Sequence, residues 1–237
     1  SIEPDAEVSL ESPAQTRNQD VCQGFAIEDI TYSFAGGAVD VIWNGLPSGL
    51  VIEKVYDLID PDKISRLDIT GTPNIAVLTD TTFDYTIKAL NSNGCNQQEQ
   101  TGSITVKANA ELSLLSTSLS QNQTVCVGED ILPINIGYEN SLPPSVSGMP
   151  AGLYTDNATP GVLKIRGQVD DLQLGNPNRT ITVVGTNTNG CQSQEIIINI
   201  NVEPSFDIKP AIEVQNPLDV GNPVSYTHLR AHETLPY

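Results

Sequence analysis

The side chains able to do chemistry in this chain are thiols, carboxylates and one indole. Cysteines stand at 22, 95, 126 and 191, aspartates gather at 57, 60, 62 and 68, and the single tryptophan is Trp43. A zinc site needs clustered thiolates or histidines, and Cys22, Cys95, Cys126 and Cys191 are far apart in sequence. A nucleophilic thiol needs a neighbour that stabilises its thiolate, and the sequence shows no sign of one. Disulfides in an oxidising compartment are the remaining use. The run DLIDPDKISRLD places Asp57, Asp60, Asp62 and Asp68 close enough to be a candidate calcium site, because calcium takes several hard oxygen ligands. It lacks the ordered spacing of an EF-hand loop, so a solvated acidic loop is the expected reading, with no cofactor. Trp43 and Tyr56 could form an aromatic platform for a sugar. Trp43 falls in the alternating strand VDVIW, however, where a core position is expected. No glycine-rich phosphate loop with lysine is present, and no catalytic residue is expected.

The elements that must position these residues come in two copies. NSNGC (91–95) returns as NTNGC (187–191), VCQG (21–24) as VCVG (125–128), and GLPSGL (45–50) as GMPAGL (148–153). AEVSL and AELSL each begin 15 residues before the valine of a VC pair. Four landmarks in one order make a tandem repeat of about 100 residues, a usual size for an autonomous domain. Period-two alternation runs through both copies: Phe83, Tyr85, Ile87 and Ala89 share one face, as do Ile181 and Val183. DITYSF, VDVIW, LVIEKVYD and ISRLDIT are further strands between turn residues, which together read as an all-β sandwich. Asn-Gly tolerates positive φ and predicts a turn from the penultimate strand into the last. Pairing within each repeat, Cys22–Cys95 and Cys126–Cys191, closes loops of 73 and 65 residues and is the expected connectivity. The alternative joins Cys22 at the base of one repeat to Cys191 at the top of the next; sequence alone does not fix the choice.

The series GLPSGL, ITGTP and FDYTIKAL resembles the Ig-like, cadherin-like repeats of large bacterial surface proteins. The VCxG opening and NGC hairpin are similar to versions in Bacteroidetes adhesins and gliding-type surface proteins. The resemblance covers about residues 6–204. The second repeat departs from it, with GMPAGL for GLPxGL and IRGQVDD where ITGTP would stand, and offers only Asp170 and Asp171 opposite the acidic run. FDIKPAIEVQNPLDV (206–220) looks like a third lead-in, while PVSYTHLRAHETLPY (223–237) resembles translated sequencing-adapter read-through and is treated as non-native. Both histidines, His228 and His232, lie in that tail, so the commonest general base at neutral pH is absent from the rest.

The expected organisation is residues 1–108 as repeat one, 109–204 as repeat two, 205–222 as the lead-in strand of a truncated third, and 223–237 as the tail. With Ser1 in place of methionine, the chain reads as an internal piece of a longer array. Its net charge of −18 repels phosphate backbones, so nucleic acid is not expected. No apolar run approaches the length needed to cross a bilayer, so membrane insertion is not expected either. The resemblance implies a bacterial extracellular or cell-surface location and a non-catalytic role as a stiff stalk or spacer, with neighbouring repeats as partners. Two alternatives stay open: exposed loops that bind glycans or proteins, with or without calcium, and an accessory module of an extracellular hydrolase.

Overall fold

A computed structural model describes residues 4–92, 94, 97–170 and 177–205. The candidate lead-in from 206, the tail, Cys95 and Asp171 lie outside the described residues. In the first repeat the strands are β1 (Ala6–Leu10), β2 (Asn18–Cys22), β3 (Ile30–Gly36), β4 (Asp40–Asn44), β5 (Leu50–Tyr56), β6 (Ile64–Gly71), β7 (Thr81–Leu90) and β8 (Glu99–Lys107). In the second they are β9 (Glu111–Leu114), β10 (Asn122–Cys126), β11 (Ile134–Glu139), β12 (Ser145–Ser147), β13 (Leu153–Thr159), β14 (Val162–Gly167), β15 (Asn178–Val184) and β16 (Ile196–Glu203).

Each repeat folds its strands into two four-stranded sheets. The orders β1-β3-β6-β5 and β2-β8-β7-β4 in the first return as β9-β11-β14-β13 and β10-β16-β15-β12 in the second. The opening strand is split. Its first half pairs antiparallel with β3, and its second half crosses over to pair parallel with β8; β9 and β10 do the same with β11 and β16. Four strands ordered A-B-E-D facing C, F and G, with the crossed-over half-strand beside G, are the connectivity of the immunoglobulin sandwich. The chain is all-β: two Ig-like sandwiches in tandem.

Alternation puts the apolar side chains between the sheets. In the first repeat Ile30, Tyr32, Leu67 and Ile69 face Tyr85, Ile87, Ala89, Ile104 and Val106; in the second Ile134, Ile136, Leu163 and Ile165 face Ile181, Val183, Ile198, Ile200 and Val202. Burying each isoleucine or leucine contributes about 1.5–3 kcal/mol, and the two core clusters share no residue. Registers match position for position: Ile30 and Tyr32 pair with Ile69 and Leu67 as Ile134 and Ile136 pair with Ile165 and Leu163. The IRGQV stretch, read from sequence as a departure, therefore occupies the place of ITGTP. Gly71 and Gly167 lie opposite Leu50 and Leu153 in the two repeats.

One core contact is not shared. The Tyr32 and Tyr85 hydroxyls meet at 3.1 Å between strands B and F, and Tyr85 donates onward to the Arg17 carbonyl at 3.0 Å. Burial pushes both phenols above their ordinary 10.0, so they remain neutral donors. Gly102, opposite Tyr85 in the ladder, makes room: a Cβ there would stand 2.4 Å from the Tyr85 hydroxyl and 2.4 Å from the Arg17 carbonyl. At the matching register the second repeat carries Ile136, Ile181 and Ile198, a larger residue in the glycine position offsetting smaller ones in the tyrosine positions.

The structure corrects the reading of Trp43 as core. Val41 is fully buried, but Trp43 near the end of the edge strand β4 is 38% exposed, its ring 5.3 Å from the Lys54 ammonium. Lys54 reaches Asp40 at 2.6 Å and so bridges the two sheets. Partial burial works to raise the Asp40 pKa; hydrogen bonds from Lys54 and from the Val41 N–H outweigh it and hold the carboxyl below its ordinary value. The GLPxGL motif is structural. Gly45 and Gly148 have φ of 82° and 76°, and a Cβ on either would meet a backbone carbonyl of the adjacent strand, Asp84 at 2.0 Å or Thr180 at 2.2 Å.

Candidate functional site at the joint between repeats

Lys107 ends β8 and Glu111 begins β9, so residues 108–110 alone connect the sandwiches. Ala108 and Ala110 are each 3% exposed, which leaves little freedom for a hinge. Across this joint runs a disulfide between Cys22 and Cys191, with Cα atoms 5.5 Å apart and a sequence separation of 169. This overturns the expected pairs Cys22–Cys95 and Cys126–Cys191. In a sandwich of this order, the VC strand and the loop from the penultimate to the last strand sit at opposite ends. A cysteine at the base of one repeat can meet the NGC cysteine only at the top of another.

The NTNGC loop forms the upper half of the joint. Asn187, 4% exposed, accepts from the Asn189 and Cys191 N–H groups at 3.0 and 2.9 Å, fixing the turn that carries the sulfur. Its amide donates across the joint to the Ala108 carbonyl at 2.8 Å. Asn140, at φ 45°, donates to the Asn109 carbonyl at 3.0 Å, and Asn109 donates to the Gln23 carbonyl at 3.2 Å. The first asparagine of the pentapeptide thus holds the turn and grips the preceding repeat. A hairpin reading of Asn-Gly does not reveal that second role.

Asp80 ties the lower half to the upper. It accepts from the Ala108 N–H at 3.0 Å, from Lys107 at 3.2 Å and from the Asn189 amide at 3.3 Å, while Lys107 also reaches Asp20 at 3.3 Å. The Ala108 N–H is the main reason the Asp80 carboxyl lies below its ordinary 3.8; slight burial opposes this, and Lys107 and Asn189 reinforce it. A carboxylate with a depressed folded-state pKa contributes fully above its unfolded pKa, and that contribution is lost as pH falls through the folded value. Acidification through and below the ordinary carboxylate range should therefore loosen the joint. The Asn189 side-chain NH2 resonances should report it by NMR, and Asp80→Asn should flatten the response.

A second device that sequence reading missed braces the VC strand itself. Gln19 donates to the Thr16 and Glu28 carbonyls at 2.7 and 3.0 Å and accepts from the Glu28 N–H at 2.8 Å. Gln123 repeats this with Ser120 at 2.8 Å and with the Leu132 carbonyl and N–H at 3.2 and 2.7 Å. The signal was visible as NQ two residues before each VC. Gln123→Ala should cost about 1–3 kcal/mol, because backbone groups lose their partners, and denaturant unfolding of the second repeat would measure it.

The candidate calcium residues do not converge. Asp57 accepts from the Ile59 and Asp60 N–H groups at 2.8 and 3.0 Å, Asp60 pairs with Lys63 at 3.3 Å, and Asp68 on β6 holds Thr31 and Arg66 at 3.1 and 2.9 Å. Backbone donation, first from Asp60 and then from Ile59, keeps the Asp57 carboxyl below its ordinary range. Among the described residues no three His, Cys, Asp or Glu side chains group as a metal site. The tip of the same loop exposes Leu58 and Ile59 almost completely, and Tyr56 is 41% exposed. Among the described residues no helix is long and apolar enough to cross a membrane.

No family model and no curated protein matches the chain. Among solved structures it is similar to the titin domains Z1Z2 in complex with telethonin, at 14% identity, covering 86% of this chain and 100% of that one with a TM-score of 0.34. It is similar to the fibronectin(III)-like modules of Clostridium thermocellum CbhA at 15%, covering 84% and 95% with a TM-score of 0.29. A sialic acid binding region of a Streptococcus sanguinis adhesin is 10% identical, covering 88% and 81% with a TM-score of 0.32. Likenesses this distant carry no function across. The sandwich assignment stands on strand order and register.

Proposed function

We propose that the chain is a non-catalytic, load-bearing segment of an extracellular bacterial surface protein: two sandwiches locked end to end as a stiff spacer. The observation that carries this reading is the Cys22–Cys191 bond across a connection of three residues. A disulfide inside one sandwich would stabilise that sandwich; one between sandwiches fixes their mutual orientation. The bond belongs to an oxidising compartment, and the acidic surface keeps such rods apart and soluble. Small-angle scattering tests it. The oxidised chain should fit a single elongated shape, and the reduced chain should fit a broader distribution; free reorientation in the oxidised chain would contradict the reading.

The exposed Leu58–Ile59 tip favours one further reading, that the same rod also contacts a protein or glycan surface through this loop. Binding by the intact chain on a glycan or protein array, lost in Leu58→Ser/Ile59→Ser, would support it.

A further inference from the structure

Cys126 is the one thiol among the described residues outside a disulfide, and it occupies in the second repeat the position that Cys22 occupies in the first. Cys22 lies opposite Lys107 and Cys126 opposite Glu203 in the parallel pairings. The next N–H returns to the same partner strand in each, from Gln23 to Lys107 at 3.0 Å and from Val127 to Glu203 at 2.9 Å. The turn closes alike, from the Phe25 N–H to the Cys22 carbonyl at 3.0 Å and from the Glu129 N–H to the Cys126 carbonyl at 3.1 Å. Both cysteines are half-buried. Cys22 is already bound to an NGC cysteine in this molecule, so this strand-end position is shown to take that ligand.

We propose that Cys126 is the docking thiol for the NGC hairpin of another repeat of this kind, supplied further along a chain or by a second copy. The inference extends the stacked-rod reading. Glu203 stands where the first repeat has Lys107, and Glu129 where it has Phe25, so the rim around Cys126 is acidic. The uncharged asparagine amides of an NGC loop suit that rim as donors, whereas an acidic hairpin would be repelled. The bond forms by exchange with a low-molecular-weight disulfide such as oxidised glutathione. The Cys126 thiolate attacks it and releases one glutathione thiolate. The NGC thiolate then displaces the second from the mixed disulfide; two protein thiols are oxidised and one glutathione disulfide is reduced to two thiols. The loops closed by successive bonds overlap, so covalent links bridge every repeat boundary.

The test oxidises the full chain at high concentration in a glutathione buffer of about 0.15 M salt, where charge repulsion between chains is screened beyond about 8 Å. In this chain the NGC cysteine of the first repeat is Cys95, so the expected product is a ladder of linear oligomers joined Cys126 to Cys95. Cys126→Ser and Cys95→Ser should each abolish the ladder while Cys22–Cys191 persists on peptide mapping. A chain extended after Pro204 by a further copy of residues 109–204 forms the second arm. There Cys126 should pair with the added NGC cysteine, and the scattering length should increase by one repeat. Symmetric Cys126–Cys126 dimers, a Cys126–Cys95 bond within one chain, or Cys126 recovered free or only glutathionylated in both arms would overturn the proposal. Loss of Cys22–Cys191 itself would instead overturn the stacked-rod reading.

Discussion

Stretched between its ends, the oxidised chain is expected to lengthen by about 600 Å less than the same chain after reduction. The figure follows from geometry. The bond joins positions 169 residues apart, and extended chain spans about 3.3–3.6 Å per residue. Force entering at the N-terminus runs along β1 and β2 to Cys22, crosses the sulfur atoms to Cys191, and leaves through β16. The residues between the two cysteines cannot be pulled out; only β1, β2 and β16, with their core residues Ala6, Val8, Val21, Ile198, Ile200 and Val202, lie on the loaded path. Single-molecule extension with and without reductant measures this directly, and Cys22→Ser should behave like the reduced chain under both conditions. Equilibrium stability should follow. In the chain-entropy treatment a link of this span contributes about 5 kcal/mol, so reduction should lower the melting temperature by more than about 10 °C.

The second large effect is expected in the first core. Gly102→Ile places a branched side chain where even a Cβ would stand 2.4 Å from the Tyr85 hydroxyl. Overpacking and the broken hydroxyl contacts together should cost about 2–5 kcal/mol, a large share of the about 5–15 kcal/mol that holds a domain folded. Adding Tyr32→Ile and Tyr85→Ile should recover most of the loss, because the three isoleucines recreate the arrangement of Ile136, Ile181 and Ile198. Denaturant unfolding of the single and triple variants measures both halves of the expectation. A triple variant no more stable than Gly102→Ile would show that the two cores are not interchangeable at these registers.

Strand periodicity was the most legible part of the sequence. In FDYTIKAL the burial of Tyr85, Ile87 and Ala89 follows the alternation directly, because a sheet with one buried face imposes period two whatever surrounds it. The recurrence of VC, GLPxGL and NGC likewise announced two copies of one topology. Where the sequence misled, a different kind of physics decided. Trp43 has the right parity for the core but sits towards the end of an edge strand, where Lys54 from the opposite sheet covers its ring. IRGQV and ITGTP differ in letters yet share register, since the fold needs only the isoleucine and the glycine there. The disulfide pairing depended on which ends of two sandwiches touch, a property of the stack that no spacing inside either repeat encodes. The candidate site was therefore half visible: both of its cysteines were named and their union stood as the alternative pairing, but the choice between the pairings and the grip of Asn187 on Ala108 emerge only once the repeats are placed end to end.

Proteolysis of the unreduced protein, followed by mass spectrometry of the linked peptides, tests the claim beneath all of this. A single species joining the peptide of Cys22 to that of Cys191, lost on reduction, is expected. Recovery of Cys22 bound to Cys95, with Cys126 bound to Cys191, would contradict it.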